Sequence, residues 1–472
     1  MNIQGKKIKT AYFIGVKGVG MTMLAQFLRQ HGVLVSGSDV SETFMTDKVL
    51  RDAGVKVFSG FKAEQVQAAD LIVYSIAYSK ENNGEVAVLK NFKKSLILNF
   101  SEAVGAVFSA HKGVAVCGSH GKTTTSAWLG YVLQKAGLEP NVLVGARVPQ
   151  FKGSALSGKS KLFVAEADEY GNKLRYFAPH GVLLNNIDYD HPDYFKTKKA
   201  YLQVFVDFIK KIPVKGFLVV NVQDKQAIEA AKFCRGRVFP YAVVISEDEA
   251  RHWSEKGILT AYAATLQDGQ QYFKIFGQTG VFKIKLLGAH NIANALAVIS
   301  GASALGLKIE IIKKHLSSFS GTARRAELLG VFNGVKIFDD YAHHPSEVQA
   351  TIKAFREAYS DKKIIVFFHP HTFTRTKALF GDFVKSFSGV DFLGILEIYG
   401  SAREKQGRVS SRDLVEAINK ENKLEKRRQT VKYFKNLEEA ESYLRKNLKT
   451  GEVLLLMGAG DIFRVGEGLL EK

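Results

Sequence analysis

The sequence predicts an α/β protein with three domains. Short apolar and β-branched runs alternate with segments of helical periodicity along the whole chain, a pattern typical of parallel sheets covered by helices. Three segments combine a strand, a glycine-rich turn and a helix, and a chain of 472 residues is long enough for about three domains. We expect these domains to span residues 1–108, 109–322 and 323–472.

The composition is that of a globular protein with anionic partners. Hydrophobic residues make up 46% of the chain, and 66 lysines and arginines against 46 acidic residues give a net charge of +20. Such an excess favours nucleotides, sugar phosphates, nucleic acid or a membrane surface. The excess is dispersed, and the sequence contains neither a zinc-finger spacing nor an RNP motif, so we expect no nucleic-acid partner.

The sequence also predicts a cytoplasmic protein. Its apolar runs are shorter than the roughly 20 residues that cross a bilayer, and the N-terminus lacks the layout of a signal peptide. Two cysteines, Cys117 and Cys234, are too few for a disulfide framework. We expect no insertion into a membrane, and a monomer or a homodimer.

A glycine-rich turn follows the first predicted strand. It departs from the dinucleotide-binding fingerprint at Lys17, where a second glycine would let the backbone approach a pyrophosphate, and this disfavours a nicotinamide site. Two interpretations stay open: a tight turn without a ligand, or a site for a nucleotide diphosphate. The residues of the second interpretation are Gly15, Gly18, Val19, Gly20 and, near the spacing of a ribose-binding acid, Asp39.

The segment from Ala115 to Thr125 has the layout of a phosphate-binding loop. An apolar run ends in a Gly-Ser-His-Gly turn, after which Lys122 and three threonines begin a helix; Val116 stands where the common pattern has its first glycine. Backbone N–H groups and the helix N-terminus hold phosphate oxygens, the lysine adds a point charge, and a threonine hydroxyl ligates Mg²⁺. The predicted nucleoside-triphosphate site comprises Gly118, Ser119, His120, Gly121, Lys122, Thr123 and Thr124.

Two further apolar runs in the central region end in polar side chains. Glu166 ends one of them, and the segment NNIDYDH, which contains His191, follows the other. Ligands bind at the carboxyl ends of parallel strands, so Glu166 and His191 are candidate Mg²⁺ ligands beside Thr123. The alternative for His191 is a loop histidine with ordinary hydrogen bonds.

Asn291 and Asn294 lie three residues apart and share one face of a predicted helix, where their amides would meet a base or a ribose. The alternative is that Asn291 caps the helix.

Arg324 and Arg325 lie near the second domain boundary, either as a clamp on a γ-phosphate or as a surface pair.

A polar cluster follows the strand VKIFDD in the C-terminal region. It contains Asp340, Tyr341, His343 and His344, and Pro345 fits the first turn of the next helix. The next strand ends in PHTFTRT, which adds Arg375. So many polar groups at strand ends indicate a site rather than a folding requirement.

Taken in order, these segments resemble the Mur ligase family across nearly the whole chain. The resemblance rests on GVKGVGM, SGSD, GSHGKTTT, EADE, NNIDYDH, GAHNIAN, TARRAE, DDYAHHP, PHTFTRT and LMGAGDI. It implies a Rossmann-like N-terminal domain that holds the UDP end of a substrate, a central P-loop ATPase domain, and a Rossmann-like C-terminal domain that receives an amino acid. It further implies an amide ligase that joins L-alanine to UDP-N-acetylmuramate through an acyl phosphate, with ATP and Mg²⁺, in peptidoglycan precursor synthesis.

The resemblance also implies roles for individual residues. The implied catalytic residues are Lys122, His191, Arg325 and Asp340, and the implied metal ligands are Thr123, Glu166 and His191. Asn291, Asn294 and Arg325 would join the phosphate loop in binding ATP, and His120 would also meet the UDP-sugar. Tyr341, His343, His344 and Arg375 would contact the muramoyl-alanine portion.

The chain departs from the family pattern near the incoming amino acid. Thr372 replaces an arginine, and the segment YGSARE shifts Glu404 by one residue. An alternative within the family is a recycling ligase that attaches a tripeptide; EADEY and NNIDYDH favour it, whereas PHTFTRT disfavours it. The alternatives from other classes are a nucleic-acid-dependent NTPase and a redox enzyme.

Overall fold

The computed structural model describes residues 1–44, 46–66, 68–400 and 407–471. It confirms the predicted α/β class, because three separate mainly parallel sheets follow one another along the chain, each covered by helices. Glu404 lies outside the described residues.

The N-terminal sheet carries the first glycine turn at the end of its central strand. Its elements are β1 (Asn2–Ile3), β2 (Lys6–Lys7), β3 (Thr10–Ile14), α1 (Val19–Gln30), β4 (Leu34–Asp39), α2 (Thr46–Asp52), β5 (Lys56–Ser59), β6 (Leu71–Tyr74), α3 (Gly84–Val88), β7 (Leu96–Asn99) and α4 (Phe100–Ser109). The strands pair in parallel in the order β5-β4-β3-β6-β7, after a short β1–β2 hairpin. Strand β3 is apolar because both of its faces are buried.

The central sheet is the largest and carries the phosphate loop. Its elements are β8 (Lys112–Cys117), α5 (Lys122–Lys135), β9 (Asn141–Val148), β10 (Gly153–Leu156), β11 (Leu162–Glu166), β12 (Gly181–Leu184), α6 (Lys198–Ile209), β13 (Phe217–Asn221), α7 (Lys225–Ala231), β14 (Arg237–Val243), α8 (Glu247–Glu255), β15 (Leu259–Gln267), β16 (Gln270–Ile275), β17 (Phe282–Ile284), α9 (Ala289–Ala304) and α10 (Ile309–Leu316). The strand order is β10-β9-β11-β8-β12-β13-β14-β15-β16-β17, with antiparallel pairs at both edges.

The C-terminal sheet has the order β18-β19-β23-β20-β21-β22, in which β18 alone among the described strands is antiparallel to its neighbour. Its elements are β18 (Glu327–Phe332), β19 (Val335–Asp340), α11 (Pro345–Ala358), β20 (Ile364–Phe368), α12 (Phe373–Ala378), α13 (Phe380–Lys385), β21 (Phe392–Leu396), α14 (Ser411–Leu424), β22 (Thr430–Phe434), α15 (Leu437–Asn447), β23 (Val453–Met457) and α16 (Phe463–Leu470). As predicted, Pro345 is the first residue of its helix.

The topology of the central sheet brings its functional segments to one edge. Strand β8 lies between β11 and β12, and all three are parallel. Glu166 pairs with Val116, and Leu184 pairs with Cys117, so the three strands end at the same level. The phosphate loop, the EADE segment and the NNIDYDH segment therefore emerge side by side.

The helix after the phosphate loop is held rigidly. Every residue of α5 from Thr123 to Leu133 is buried, because the helix lies between the sheet and helices α9 and α10. The Trp128 ring stacks on Phe319 at 5.3 Å, and its indole N–H donates to the Leu316 carbonyl. This packing fixes the helix end that carries Lys122.

The N-terminal domain docks on the central domain through α1, which packs against β9 and β10. Gln26 of α1 accepts a hydrogen bond of 3.0 Å from the Ser154 backbone N–H.

Within the described ranges, none of the helices combines the length and the apolar character that a bilayer-spanning segment requires.

Candidate active site

The phosphate loop depends on two glycines with positive φ. Gly118 has φ +125°, and Gly121, immediately before α5, has φ +79°. A Cβ atom at Gly121 would lie 2.6 Å from Asn294 Oδ1 and 2.7 Å from Asn185 Nδ2. Glycine is therefore required at Gly121 both by its conformation and by these close amides.

Lys122 lies over the loop that it follows. Its Nζ donates to the carbonyl oxygens of Gly118 and Ser119 at 2.6 and 3.0 Å and lies 3.1 Å from Glu169 Oε2. Burial alone would lower the pKa of this ammonium, but the charges of Glu169, Asp168 and Glu166 outweigh it and raise that pKa. The ammonium stays charged, as a phosphate-binding lysine must.

The predicted metal ligands lie in two separate groups of side chains. Thr123 Oγ1 donates to Glu166 Oε1 at 2.8 Å, and the other oxygen of Glu166 accepts the Gly145 N–H. His191 instead groups with Asp168 and Glu169, whose donor atoms lie within 4.8 Å of one another. Carboxylate and hydroxyl oxygens with one imidazole are a donor set that suits Mg²⁺, so the residues fit the predicted ion.

His120 connects the phosphate loop to the C-terminal domain. Its Nε2 lies 3.0 Å from Asp188 Oδ2 and its Nδ1 lies 3.2 Å from Glu347 Oε1. Burial would lower the pKa of His120, but the two carboxylates outweigh it and raise the pKa to about 9. Asp188, which also accepts a hydrogen bond from Ser346 at 2.6 Å, has its pKa lowered to about 2 despite its burial. His120 is therefore an imidazolium between two carboxylates at neutral pH.

A second buried contact joins the same two domains. Arg375 Nε lies 3.1 Å from Asp190 Oδ1, and both side chains are less than a tenth exposed. Burial would raise the pKa of Asp190, but the charge of Arg375 outweighs it and holds that pKa far below its usual range. The guanidinium predicted to meet the substrate is thus anchored from the central domain.

The two adjacent arginines have different environments. Arg324 lies 2.9 Å from Asp339 and donates to the Gly458 carbonyl, so it is part of the C-terminal domain. Arg325 lies 3.8 Å from Glu347 Oε1, with its guanidinium 5.1 Å from the Tyr341 ring centroid. Of the two, Arg325 lines the cleft between the central and C-terminal domains.

Asp340 is buried at the end of β19. Its carboxylate accepts the backbone N–H groups of Ala326 and Ala342, and burial raises its pKa above the ordinary value. Through these two hydrogen bonds, Asp340 connects the segment that carries Arg325 to the polar cluster after β19.

The two asparagines of α9 support the phosphate loop. Asn294 donates to Asn291 Oδ1 at 3.0 Å, and its own oxygen lies 3.5 Å from the Asn185 amide nitrogen. Asn291 donates to the Leu287 carbonyl. The capping alternative for Asn291 is wrong, because the N-cap is Gly288 and Asn291 lies inside the helix.

His343 and His344 lie at the start of α11. Burial, followed by the charge of Arg375, lowers the pKa of His343 to about 3, and burial also lowers the pKa of His344, the N-cap residue. Both imidazoles are therefore neutral at physiological pH. The His344 ring centroid lies 5.0 Å from that of His120 in the phosphate loop, whereas the His343 ring lies beside Tyr341 and His371. Thr372 has φ +70° and caps α12 by accepting the Arg375 backbone N–H.

The N-terminal glycine turn is closed by Asp39. Its Oδ2 accepts the Lys17 backbone N–H at 2.6 Å, and its Oδ1 accepts that of Val40. A Cβ at Gly15, which has φ +84°, would lie 2.7 Å from the Tyr78 ring. The turn therefore has no room for a side chain at Gly15. Helix α1 begins directly after it, with Gly18 as the N-cap, and Val19 in its first turn is 52% exposed.

A cleft of about 830 Å³ lies between the central and C-terminal domains; we call it the interdomain cleft. Its lining includes His120, Gly121, Thr124, Asn291, Asn294, Arg325, Asp340 and Glu347. It therefore brings together predicted residues from four separate segments. Lys122 and Thr123 lie directly behind this lining, against the carboxylates that they contact.

Family models cover most of the chain. The model described as the Mur ligase family catalytic domain matches residues 10–99, the Mur ligase middle domain matches 116–302, and the Mur ligase glutamate ligase domain matches 324–460. The UDP-N-acetylmuramate–L-alanine ligase of Caldanaerobacter subterraneus is 36% identical over 100% of this chain and 99% of its own. The chain belongs to the Mur ligase family. The enzyme of the same name from Acetivibrio thermocellus is 37% identical to this Mur ligase over 98% of this chain and 96% of its own.

Solved structures share the fold of this Mur ligase. The UDP-N-acetylmuramate-alanine ligase MurC of Thermotoga maritima superposes with a TM-score of 0.79 at 22% identity, over 98% of both chains. The murein peptide ligase of Psychrobacter arcticus gives 0.70 at 22% identity, also over 98% of both chains. These two likenesses confirm the three-domain architecture.

Sequence reasoning assigned no role to three acidic residues of this Mur ligase site. Asp188 and Asp190 lie in the segment before His191, and Glu347 lies in the first turn of α11. The available signal for Glu347 was its place three residues after His344, the spacing of a capping box. That spacing predicts a helix start but carries no information about the contact with His120.

Proposed function

We propose that this protein is an ATP-dependent amide ligase that joins L-alanine to UDP-N-acetylmuramate in peptidoglycan precursor synthesis. The observation that carries the proposal is the interdomain cleft, where residues of the phosphate loop, Arg325 and Asp340 at the end of β19 line one cavity. The full-length identity to relatives named UDP-N-acetylmuramate–L-alanine ligase supports the choice of substrates.

The first proposed step activates a carboxylate. An oxygen of the muramoyl carboxylate attacks the γ-phosphorus of ATP, the bond from that phosphorus to the β,γ-bridging oxygen breaks, and ADP leaves with the bonding electrons. Arg325 in the lining of the cleft and Lys122 behind that lining stabilise the charge on the transferred group, and the loop N–H groups position it. Before ATP binds, the Glu169 carboxylate holds Lys122 in place, and the Glu347 carboxylate holds Arg325.

The second proposed step forms the amide. The amine of L-alanine attacks the acyl carbon, the carbon–oxygen bond to phosphate breaks, and the nitrogen loses a proton. That proton passes to solvent water, because His343, whose pKa is lowered to about 3 by burial and then by the charge of Arg375, is a neutral and weakly basic imidazole that can only hydrogen-bond to the amine. We propose Tyr341, His343, His344 and Arg375 as the side chains around the muramoyl-alanine portion.

We propose Mg²⁺ as the metal, held by Thr123, Glu166 and His191. The oxygen donors of the first two residues are already within hydrogen-bonding distance of each other, and His191 groups with two further carboxylates. When bound, the ion would neutralise phosphate charge. Asp168 and Glu169 are additional candidates for this donor set.

We propose that the N-terminal domain, residues 1–108, holds the UDP end at the turn that contains Gly15, Gly18, Val19, Gly20 and Asp39. The spans 109–322 and 323–472 would be the ATP-binding and amino-acid-binding domains, and the family-model matches fall within these three spans. We further propose a cytoplasmic reaction, without nucleic acid, by a monomer or a homodimer.

The test is an assay of ADP release with UDP-N-acetylmuramate and ATP, in which L-alanine, the recycling tripeptide or DNA is the third component. Release that requires L-alanine supports the proposal. Release with the tripeptide alone would assign the recycling activity, and release stimulated by DNA and weakened by salt would assign a nucleic-acid-dependent NTPase.

A further inference from the structure

Glu347 uses its two carboxylate oxygens for two different purposes. Oε2 accepts the backbone N–H groups of His343 and His344 at 3.2 and 3.4 Å, which completes the capping box of α11. Oε1 instead lies 3.2 Å from His120 Nδ1 and 3.8 Å from Arg325 Nη1. One oxygen therefore serves the helix, and the other connects that helix to two cationic groups that line the interdomain cleft.

A capping box alone does not explain this environment. Glu102 occupies the same position in the capping box of α4, where it accepts the Asn99 backbone N–H. The Glu347 side chain is 12% exposed and lines the interdomain cleft. Burial of a carboxylate is unfavourable unless charged partners compensate it, and here His120 and Arg325 do so.

The partners of Glu347 come from separate parts of the chain. His120 belongs to the phosphate loop of the central domain, and its other ring nitrogen is held by Asp188 at 3.0 Å. Arg325 belongs to the segment that enters β18. Glu347 Oε1 therefore lies against both the imidazolium and the guanidinium, and all three groups line the same cleft.

We propose that Glu347 is a positioning residue for phosphoryl transfer, acting through His120 and Arg325. The inference rests on the proposed function, since it concerns the step in which ATP is cleaved. Positive groups accelerate such a step only when they are held where the charge develops, and a displacement of about 1 Å costs about 100-fold in rate. Glu347 supplies that restraint from the C-terminal domain, so the phosphate loop is complete only when this domain is docked.

The test uses Glu347→Gln in the full chain. The amide oxygen can still cap α11, but the amide nitrogen then faces two donors, so the contacts to His120 and Arg325 are lost. We expect kcat for ADP release to fall by about 10-fold or more, with the KM for the UDP-sugar changed by less than about twofold. Glu102→Gln, the same change at the same capping position, should leave both constants unchanged.

A double-mutant cycle distinguishes positioning from a structural role. If Glu347 acts through His120, Glu347→Gln should cost much less in a His120→Asn background than in the wild type. Fully multiplicative effects, or a Glu347→Gln variant that behaves as Glu102→Gln does, would overturn the proposal.

The double-mutant cycle is measured with L-alanine and with the tripeptide, so that the effect of Glu347→Gln is detected whichever of the two amines is the substrate. A wild-type enzyme that is inactive with both amines overturns the proposed function and this role together; an active wild type with an unaffected Glu347→Gln overturns the role alone. If Glu347→Gln does not fold, Glu347→Asp replaces it, because aspartate caps α14 from the same position but is one methylene shorter. Loss of folding in both variants would assign Glu347 to the helix cap alone and overturn the proposal.

Discussion

Arg375 and Asp190 form a buried ion pair between the C-terminal and central domains, with Nε–Oδ1 and Nη2–Oδ2 distances of 3.1 and 3.4 Å. Arg375 lies in α12, which follows β20 of the C-terminal sheet, and Asp190 directly precedes His191 in the central domain. The pair therefore couples domain docking to the position of a cation that we place beside the substrate.

Removal of one partner should destabilise the docked protein. Asp190→Ala leaves the Arg375 charge buried without compensation, which costs about 3–5 kcal/mol in comparable buried pairs. We expect a clear fall in the apparent unfolding temperature, measured by calorimetry. Asp193→Ala, in the same segment but exposed, is the control and should change little; equal unfolding temperatures for the two variants would refute the coupling.

The phosphate loop itself could be predicted, whereas its interdomain partners could not. The loop is encoded by adjacent residues, from Gly118 to Thr125, whose turn and helix start are local properties. The contacts of Asp190 with Arg375 and of His120 with Glu347 join residues 185 and 227 positions apart. Sequence spacing carries no information about such pairs, because they arise where domains built on two separate sheets pack together.

The candidate metal ligands also make contacts that the sequence did not predict, although they all lie in one domain. The strand ends predicted that Glu166 and His191 would converge, and they do emerge at one edge of the sheet. The local pattern did not predict that Asp168 and Glu169 would turn toward His191 while Glu166 bonds to Thr123. That difference depends on side-chain direction in the loop after β11.

Lys122→Ala should remove turnover and leave UDP-sugar binding nearly unchanged. The ammonium contacts the loop carbonyls and Glu169, all in the central domain, whereas the UDP end is assigned to the N-terminal domain. We expect at least a roughly 100-fold loss of kcat, measured by ADP release, with the UDP-sugar Kd measured by calorimetry. Lys135→Ala, at the exposed end of the same helix, is the control. Collapse of UDP-sugar affinity in a folded Lys122→Ala protein would contradict this division of labour.

Gly121→Ala should disrupt the loop beyond the cost of backbone strain. Its Cβ would lie 2.6 Å from Asn294 Oδ1, so the amides behind the loop would have to move. Gly137→Ala is a matched control, since its φ of +81° imposes similar strain in open space and should cost about 1 kcal/mol. We expect a larger fall in unfolding temperature and loss of ATP binding for Gly121→Ala. Equal effects of the two substitutions would show that the asparagines do not constrain the loop.

The stability contributed by His120 should depend on pH. Its pKa in the folded protein, about 9, lies above the ordinary value of about 6.5, so the contribution is complete below about pH 6.5 and is lost as the pH rises through about 9. The full contribution is at most about 3 kcal/mol. The measurement compares the unfolding temperatures of the wild type and His120→Asn from pH 6 to pH 10. A difference between them that stays constant over this range would contradict the imidazolium bridge to Asp188 and Glu347.

Thr372→Arg should lower the KM for the amino-acid substrate if Thr372 lies in the amino-acid pocket. The threonine caps α12 and carries no charge, whereas the family pattern has an arginine at this position. If Arg375 alone anchors the anionic end of the substrate, adding a cation should lower the KM for an amino acid without changing kcat for ADP release. A panel of L-alanine, glycine and L-serine measures this effect, with Thr374→Arg as the neighbouring control. An unchanged KM for all three would place Thr372 outside the amino-acid pocket.

The most direct test of the central claim follows the carboxylate oxygen. UDP-N-acetylmuramate labelled with ¹⁸O in its muramoyl carboxylate is incubated with ATP, L-alanine and the enzyme, and the released phosphate is analysed by mass spectrometry. Attack of the carboxylate on the γ-phosphorus, followed by amide formation, predicts one ¹⁸O atom in the phosphate for each amide formed. Unlabelled phosphate released with the amide, or label found in AMP, would contradict activation by the phosphate loop and Arg325.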